Sequence, residues 1–254
     1  IGVSGDGDSG SIGLGQFKHI IRRNAPMVYI IENNGVYGLT KGQFSATADM
    51  GQELKYAGLN ELPPIDLCLE AIAGGATFVA RSFAGAPKQV QSLLKAALSH
   101  NGIAVLDIIS PCVAFNDHEN STKSYSYGKA KQSALQDITY IQAEEEIQID
   151  EDAYDAAGEQ SVTMHTGAKV VLKKLGNDYD PTNKAEAFKL LQESYDVPPG
   201  ENPKFITGLI YIDQNRPNLI ETLRVSETPL SRLDVSHLRP PREALDRIMR
   251  GLTV

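Results

Sequence analysis

Cysteine is scarce in this sequence. Two thiols in 254 residues, Cys68 and Cys112, cannot form a disulfide framework and suit a reducing compartment better. No apolar run approaches the roughly 20 residues that a membrane-spanning helix needs. No signal-like segment opens the chain. A cytoplasmic protein without membrane contact is therefore expected. Positive charge is also short: 24 Lys and Arg against 32 Asp and Glu leave a net charge of −8, which disfavours nucleic acid as a partner. Repeats and low-complexity tracts are missing too. What is present, 41% hydrophobic and 22% charged residues, suffices for one substantial core with an appendage.

The chain is organised around two short stretches. Ile1-Gly2-Val3-Ser4 is a short apolar run ending in Gly5-Asp6-Gly7-Asp8. Met27 to Ile31 is a second apolar run, ending in Glu32-Asn33-Asn34-Gly35. Between them Ile12, Phe17, Ile20 and Ile21 recur near helical spacing, which predicts a helix from about Ser11 to Arg23, stopped before Pro26. Strand, helix, strand with a right-handed crossover makes the strands parallel and brings their C-terminal ends to one sheet edge. Open parallel sheets bind ligands at that edge.

Gly-Asp-Gly alone reads as an ordinary turn. Paired with Asn34 one crossover away, it reads differently. A carboxylate and an amide carbonyl are hard oxygen ligands that suit Mg²⁺, which takes most of its other ligands from phosphates and water. Gly5 and Gly7 let backbone approach an anion, and the helix start after Gly7 favours phosphate. The residues therefore point to a Mg-diphosphate site.

The same stretches resemble the thiamine diphosphate motif. More narrowly, GDGDSGSIG, RRN and ENNGVYGLTKGQFSATAD resemble the beta subunits of 2-oxoacid:ferredoxin oxidoreductases, strongly from Ile1 to about Asn116 and more weakly beyond. The resemblance implies that Asp6, Asn34 and the Val36 carbonyl hold Mg²⁺. It implies that Gly5, Gly7, Asp8, Gly38, Leu39 and Thr40 line the cofactor site. It also makes Cys112, in Ser110-Pro111-Cys112, one ligand of a [4Fe-4S] cluster whose other three cysteines lie outside this chain. Read without the resemblance, Cys112 is an inert thiol in a turn. Because the chain begins inside the first strand of the motif, it is expected to be a fragment or a processed subunit.

Further along, Lys41 is either a substrate-facing cation or a solvated loop residue. His19 and His118 read as structural or surface histidines, and Cys68, among Leu67, Leu69 and Ile72, as a packing residue. Helices are expected at Ile65–Ala73 and from Pro87 to about His100, and strands at Thr77–Arg81 and Ile103–Ile109. Residues 117–127 read as a loop. Beyond Ser133 come alternating apolar residues from Ile138, an acidic run from Asp150 and a hairpin turning at Thr166-Gly167. A helix capped near Asn183, a break at Pro198-Pro199-Gly200 and a strand at Phe205–Asp213 follow.

The expected fold is α/β: a doubly wound, mostly parallel sheet of the thiamine diphosphate-binding type over residues 1–132. An α+β extension over 133–254 would pack on the core and a partner. The implied activity is oxidative decarboxylation of a 2-oxo acid, most like 2-oxoglutarate, with coenzyme A as co-substrate and electrons passing to ferredoxin. The implied assembly pairs this subunit with an alpha subunit as (alpha-beta)2. No catalytic acid or base is assigned, since the groups that activate the thiazolium are expected on that partner. The alternatives are a redox-neutral thiamine diphosphate decarboxylase or synthase subunit, and a non-catalytic fragment that only binds its partner. Asp6→Ala is expected to abolish cofactor retention and spare the fold, on the premise that Asp6 sits at an edge rather than in a core.

Overall fold

The computed structural model describes residues 1–55, 57–119, 121–142, 159–174, 179–196 and 204–252. Most of the acidic run from Asp150, and Pro198–Gly200, lie outside the described residues.

The strands are β1 (Gly2–Gly5), β2 (Met27–Asn33), β3 (Val36–Tyr37), β4 (Gln43–Phe44), β5 (Glu53–Leu54), β6 (Gly58–Leu59) and β7 (Phe78–Phe83). After them come β8 (Ile103–Ile109), β9 (Gln132–Ala134), β10 (Gln136–Ile141), β11 (Glu159–Thr163), β12 (Lys169–Lys174) and β13 (Phe205–Ile212). The helices are α1 (Leu14–Arg22), α2 (Leu67–Gly74), α3 (Pro87–Leu98), α4 (Tyr125–Lys131), α5 (Lys184–Tyr195), α6 (Leu219–Leu223), α7 (Val235–Leu238) and α8 (Arg242–Leu252).

The central sheet has six strands in the order β1-β2-β8-β7-β13-β9. The first four run parallel. β13 joins β7 antiparallel, and β9 pairs parallel to β13. The segment from residue 132 onward therefore supplies two strands, β9 and β13, to the core sheet as well as a second, antiparallel sheet of β10, β12 and β11. That second sheet contains the expected hairpin, which turns between Thr163 and Lys169.

Both faces of the central sheet are covered, so its middle strands are apolar throughout. Ile103 and Val105 of β8 face Phe17, Ile21, Leu67, Ile72 and Leu191 of α1, α2 and α5. Ala104 and Leu106 face the other way, onto Leu93 and Ala97 of α3 and Leu172 of β12. Each such fully buried Leu or Ile contributes on the order of 1.5–3 kcal/mol. Helix ends follow local chemistry. Asp66 caps α2 by accepting from the Cys68 and Leu69 N–H groups, and Gly75, at φ 89°, ends it in the left-handed conformation that favours glycine. Pro87 starts α3, and Asn183 caps α5.

Element ends shift by a residue or two at several places, such as α2 and β7, and two segments depart further from the sequence reading. The chain turns helical at once after β1, through a π-type turn at Asp8–Ile12, before α1 proper. The stretch read as a loop up to Tyr127 already contains the start of α4, capped by the Ser124 hydroxyl.

Residues Ile1–Leu219 form one compact unit. Residues 220–254 form a second, small unit, in which α8 carries Leu245, Ile248, Met249 and Leu252 along one exposed stripe.

Candidate functional site

The C-terminal ends of β1, β2 and β8 lie side by side at one sheet edge, since these strands are parallel neighbours. Asp6 follows β1, Asn34 follows β2 and Cys112 follows β8, so topology alone gathers them. Asp6 is only 1% exposed. Its Oδ1 accepts from the Asn34 N–H at 3.3 Å. Its Oδ2 accepts from the Gly35 N–H at 3.2 Å and from the hydroxyls of Ser45 and Thr47. The side chain of Asn34 bends back so that its Oδ1 accepts from the Val36 N–H at 3.1 Å. Gly35, at φ 74°, makes the turn that places Asn34 and Val36 together.

These observations correct the premise behind Asp6→Ala. Asp6 lies at the sheet edge yet is buried, and it ties together the Asn34-Gly35 and Ser45–Thr47 loops. Alanine there removes the acceptor shared by four donors, of which Thr47 keeps Asn33 as an alternative, so local disorder accompanies any loss of ligand.

The donor set fits a hard cation. A buried carboxylate is costly unless it is hydrogen-bonded and paired. Asp6 has the hydrogen bonds, but among the described residues it has no cationic partner. Three donors saturate Oδ2, while Oδ1 accepts a single long bond and keeps a lone pair. Among the described residues no three His, Cys, Asp or Glu side chains cluster as metal ligands. A cation at this edge would rest on one carboxylate plus the Asn34 amide and Val36 carbonyl oxygens. Few protein ligands, the rest from phosphate and water, is the habit of Mg²⁺.

Around this centre the other expected residues fall as follows. Gly7 is pressed against Tyr37: a methyl group there would come within 2.5 Å of the Tyr37 ring, and the Tyr37 hydroxyl donates to the Gly7 carbonyl at 2.8 Å. Gly5 has open space beside it. Asp8 is exposed and accepts from the Ser4 hydroxyl at 2.5 Å. Gly38, Leu39, Thr40 and Lys41 form the turn between β3 and β4, where the Thr40 hydroxyl meets the Gln43 side chain. Leu39 is 99% exposed, and Lys41 is exposed at φ 75°. Cys112 is half-buried, and a methyl group on Gly38 would stand 3.8 Å from its sulfur. His19 and His118 are exposed. Cys68 is 0% exposed, and burial pushes its thiol up, as suits a packing residue.

Behind the edge lies a buried ionic group that the sequence reading passed over. Arg81 of β7 donates from Nε to Asp107 Oδ2 at 2.8 Å and from its terminal nitrogen to Asp66 Oδ1 at 2.7 Å. Tyr195 donates to Asp66 at 2.9 Å. Burial raises Asp66, but the Arg81 guanidinium outweighs it and holds the carboxyl below its usual range. Asp107 in turn accepts from the Asn33 amide at 2.9 Å, and Asn33 Oδ1 accepts from Thr47 at 2.9 Å. Thr47 reaches Asp6. The ionic group thus orients the residues that orient Asp6. A cavity of about 40 Å³ lined by polar residues, among them Asn33, Thr47, Arg81 and Asp107, and by apolar ones, among them Leu67 and Phe205, has room for water. Charged residues inside the apolar runs FVARSF and IAVLDII were the available signal.

Comparison with known proteins shows what parts of the chain are similar to. Residues 1–108 match the family described as thiamine pyrophosphate enzyme, C-terminal TPP binding domain. Residues 169–228 match the family described as the C terminal of the pyruvate ferredoxin oxidoreductase beta subunit. Parts of the chain are similar to beta subunits of 2-oxoacid:ferredoxin oxidoreductases. It is 43% identical over 125 residues to 2-oxoacid:ferredoxin oxidoreductase subunit beta of Saccharolobus solfataricus, over 48% of this chain and 39% of that one. It is 38% identical over 116 residues to 2-oxoglutarate oxidoreductase subunit KorB of Mycobacterium tuberculosis, over 45% of this chain and 31% of that one. The chain thus spans less than half the length of these relatives. In structure it resembles a 2-oxoglutarate:ferredoxin oxidoreductase from Magnetococcus marinus that has 2-oxoglutarate, coenzyme A and succinyl-CoA bound. The TM-score is 0.61 at 25% identity, covering 94% of this chain and 68% of that one. The fold is the expected mixed α/β fold with a mostly parallel central sheet. No helix among the described residues is long and apolar enough to cross a membrane.

Proposed function

We propose that this chain is the thiamine diphosphate- and Mg²⁺-binding beta subunit of a cytoplasmic 2-oxoacid:ferredoxin oxidoreductase acting on 2-oxoglutarate with coenzyme A. The observation that carries the reading is the convergence of Asp6, Asn34 and Val36 at the β1/β2 edge, with a buried carboxylate that lacks a cation among the described residues. Asp6 Oδ1, Asn34 Oδ1 and the Val36 carbonyl hold Mg²⁺. Gly7 and the helical turn after it give the diphosphate backbone N–H groups, with Asp8, Gly38, Leu39 and Thr40 lining its approach. Bound thiamine diphosphate supplies the carbanion chemistry that decarboxylates a 2-oxo acid.

Cys112 supplies one thiolate to a [4Fe-4S] cluster completed by cysteines outside this chain, and ferredoxin is the electron acceptor. The proximity of Cys112 to Gly38 supports this role, because it brings the thiol to the diphosphate loop. Lys41 is exposed on that loop, where its ammonium can meet a substrate carboxylate. The choice of 2-oxoglutarate follows the names of the KorB relatives and the ligand of the structural neighbour. The site is completed by an alpha subunit in an (alpha-beta)2 assembly.

The test is anaerobic. The chain and its partner subunit receive Mg²⁺, thiamine diphosphate, coenzyme A and a panel of 2-oxo acids, and ferredoxin reduction is followed. Reduction with 2-oxoglutarate is the expected result. Reduction with pyruvate alone overturns the substrate, and carbon dioxide release without reduction moves the protein to the redox-neutral enzymes.

A further inference from the structure

Asn116 is 0% exposed, four residues after Cys112. Its Nδ2 donates to the Asn34 carbonyl at 2.7 Å, across 82 residues of sequence. Its backbone N–H donates to the Cys112 carbonyl at 2.8 Å, and the two residues form an isolated antiparallel bridge. Its Oδ1 is buried and finds no partner among the described residues. An unpaired buried acceptor is costly, so an apolar residue of similar size would fit this place better unless the amide N–H is needed. Its surroundings are tight. A methyl group on Gly35 would come within 2.9 Å of Asn116 Nδ2, and one on Gly42 within 2.9 Å of the Phe115 ring. The Cys112–Asn116 loop is thus seated against the Asn34–Gly42 loop at Asn34, Gly38 and Gly42.

We propose that Asn116 is a positioning residue that latches the Cys112 loop to the backbone of Asn34, so that the metal loop and the thiol loop move as one body. The latch deepens the functional reading above and rests on it for its purpose. Occupation of the Mg-diphosphate site orders Asn34, and through Asn116 it orders Cys112. The sulfur is thereby held at a fixed place relative to the diphosphate.

The test uses the full chain, treated with chelator to remove iron, with iodoacetamide as probe of Cys112 and magnesium pyrophosphate as probe of the diphosphate site. Cys68, fully buried, is the internal control for folding. Asn116→Leu keeps the bulk and loses the donor, while Asn116→Ser stays polar but is too short to reach Asn34. In both variants Cys112 should alkylate about tenfold faster than in the wild type, as expected when one ordinary hydrogen bond no longer opposes loop opening. Cys68 should stay silent. Magnesium pyrophosphate should slow Cys112 alkylation in the wild type and should still bind the variants without protecting them, an uncoupling that a general packing role would not produce. Apo rates within twofold of the wild type in both variants overturn the latch, as does Cys68 reacting alongside Cys112 in both. A wild-type chain that binds no magnesium pyrophosphate overturns the functional reading instead, while the apo rates still decide the latch.

Discussion

Replacing Arg81 with Met should be among the most damaging single changes outside the site. The guanidinium, 7% exposed, stands between two carboxylates, Asp66 and Asp107, that are 3% and 0% exposed. Asp66 would keep the Cys68 and Leu69 N–H groups and the Tyr195 hydroxyl. Asp107 would keep the Asn33 amide and a thiol contact 3.9 Å away, far too little for an ionised group in that setting. Removing one partner of a buried ion pair costs about 3–5 kcal/mol. For a chain of this size that is a fall of roughly 6–20 °C in Tm. Chemical denaturation measures it directly, as a lower midpoint at an unchanged slope. Arg81→Met combined with Asp107→Asn should recover part of the loss, because the stranded charge is then gone. A loss below about 1 kcal/mol, or a double variant no better than the single one, would refute the reasoning.

Two further changes test other parts of the structure. His100 is buried against Thr77 and faces His165; burial, then His165, pushes it down to about 4, while Asp213 pulls it back in part. A histidine held neutral in the fold but protonated when unfolded leaves stability intact above about 6.5 and erodes it as pH falls towards 4. The total is on the order of 3 kcal/mol, and His100→Gln, followed by urea unfolding from pH 7.5 to 4.5, should flatten that slope. Gly7→Ala would drive a methyl group into Tyr37 at 2.5 Å. Overpacking of that kind costs about 1–3 kcal/mol. It should weaken Mg-dependent thiamine diphosphate binding about tenfold, with Tyr37→Ala restoring room; unchanged binding in Gly7→Ala would contradict the fit.

Part of the site was legible because it depends on local pattern. Apolar runs ending in Gly-Asp-Gly and Asn-Asn-Gly, with helical spacing between, fix a parallel strand pair. The geometry of that pair brings Asp6 to Asn34 without any long-range information. The apolar runs Met27–Ile31 and Ile103–Ile109 were readable as strands for the same reason. What was hidden depends on contacts distant in sequence. Ser45 and Thr47 sit in an irregular stretch whose composition says only that it is a loop, yet they close over Asp6. Arg81 and Asp107 look like isolated polar residues in apolar runs until the sheet order places β7 beside β8. β13, 96 residues after β8 ends, enters the same sheet antiparallel, which no local periodicity encodes. The burial of Asp6 was missed because a position at a sheet edge was taken to mean exposure. A carboxylate roofed by two loops is at the edge and inside at once.

The central claim is that Asp6 anchors Mg²⁺ and, through it, the diphosphate. Its most direct test is equilibrium binding of thiamine diphosphate to the complex of this chain with its partner subunit, with Mg²⁺ and with EDTA, for the wild type and Asp6→Asn. The amide can turn its oxygen towards Ser45, Thr47 and Gly35 and so keep most of the fold, but it then offers an N–H where the cation needs a lone pair. Binding to the wild type should require Mg²⁺, and Asp6→Asn should weaken it by about a hundredfold or more, with Tm lowered by only about 2–4 °C for the one lost Asn34 hydrogen bond. Equal binding by both proteins, or wild-type binding indifferent to EDTA, would contradict the account.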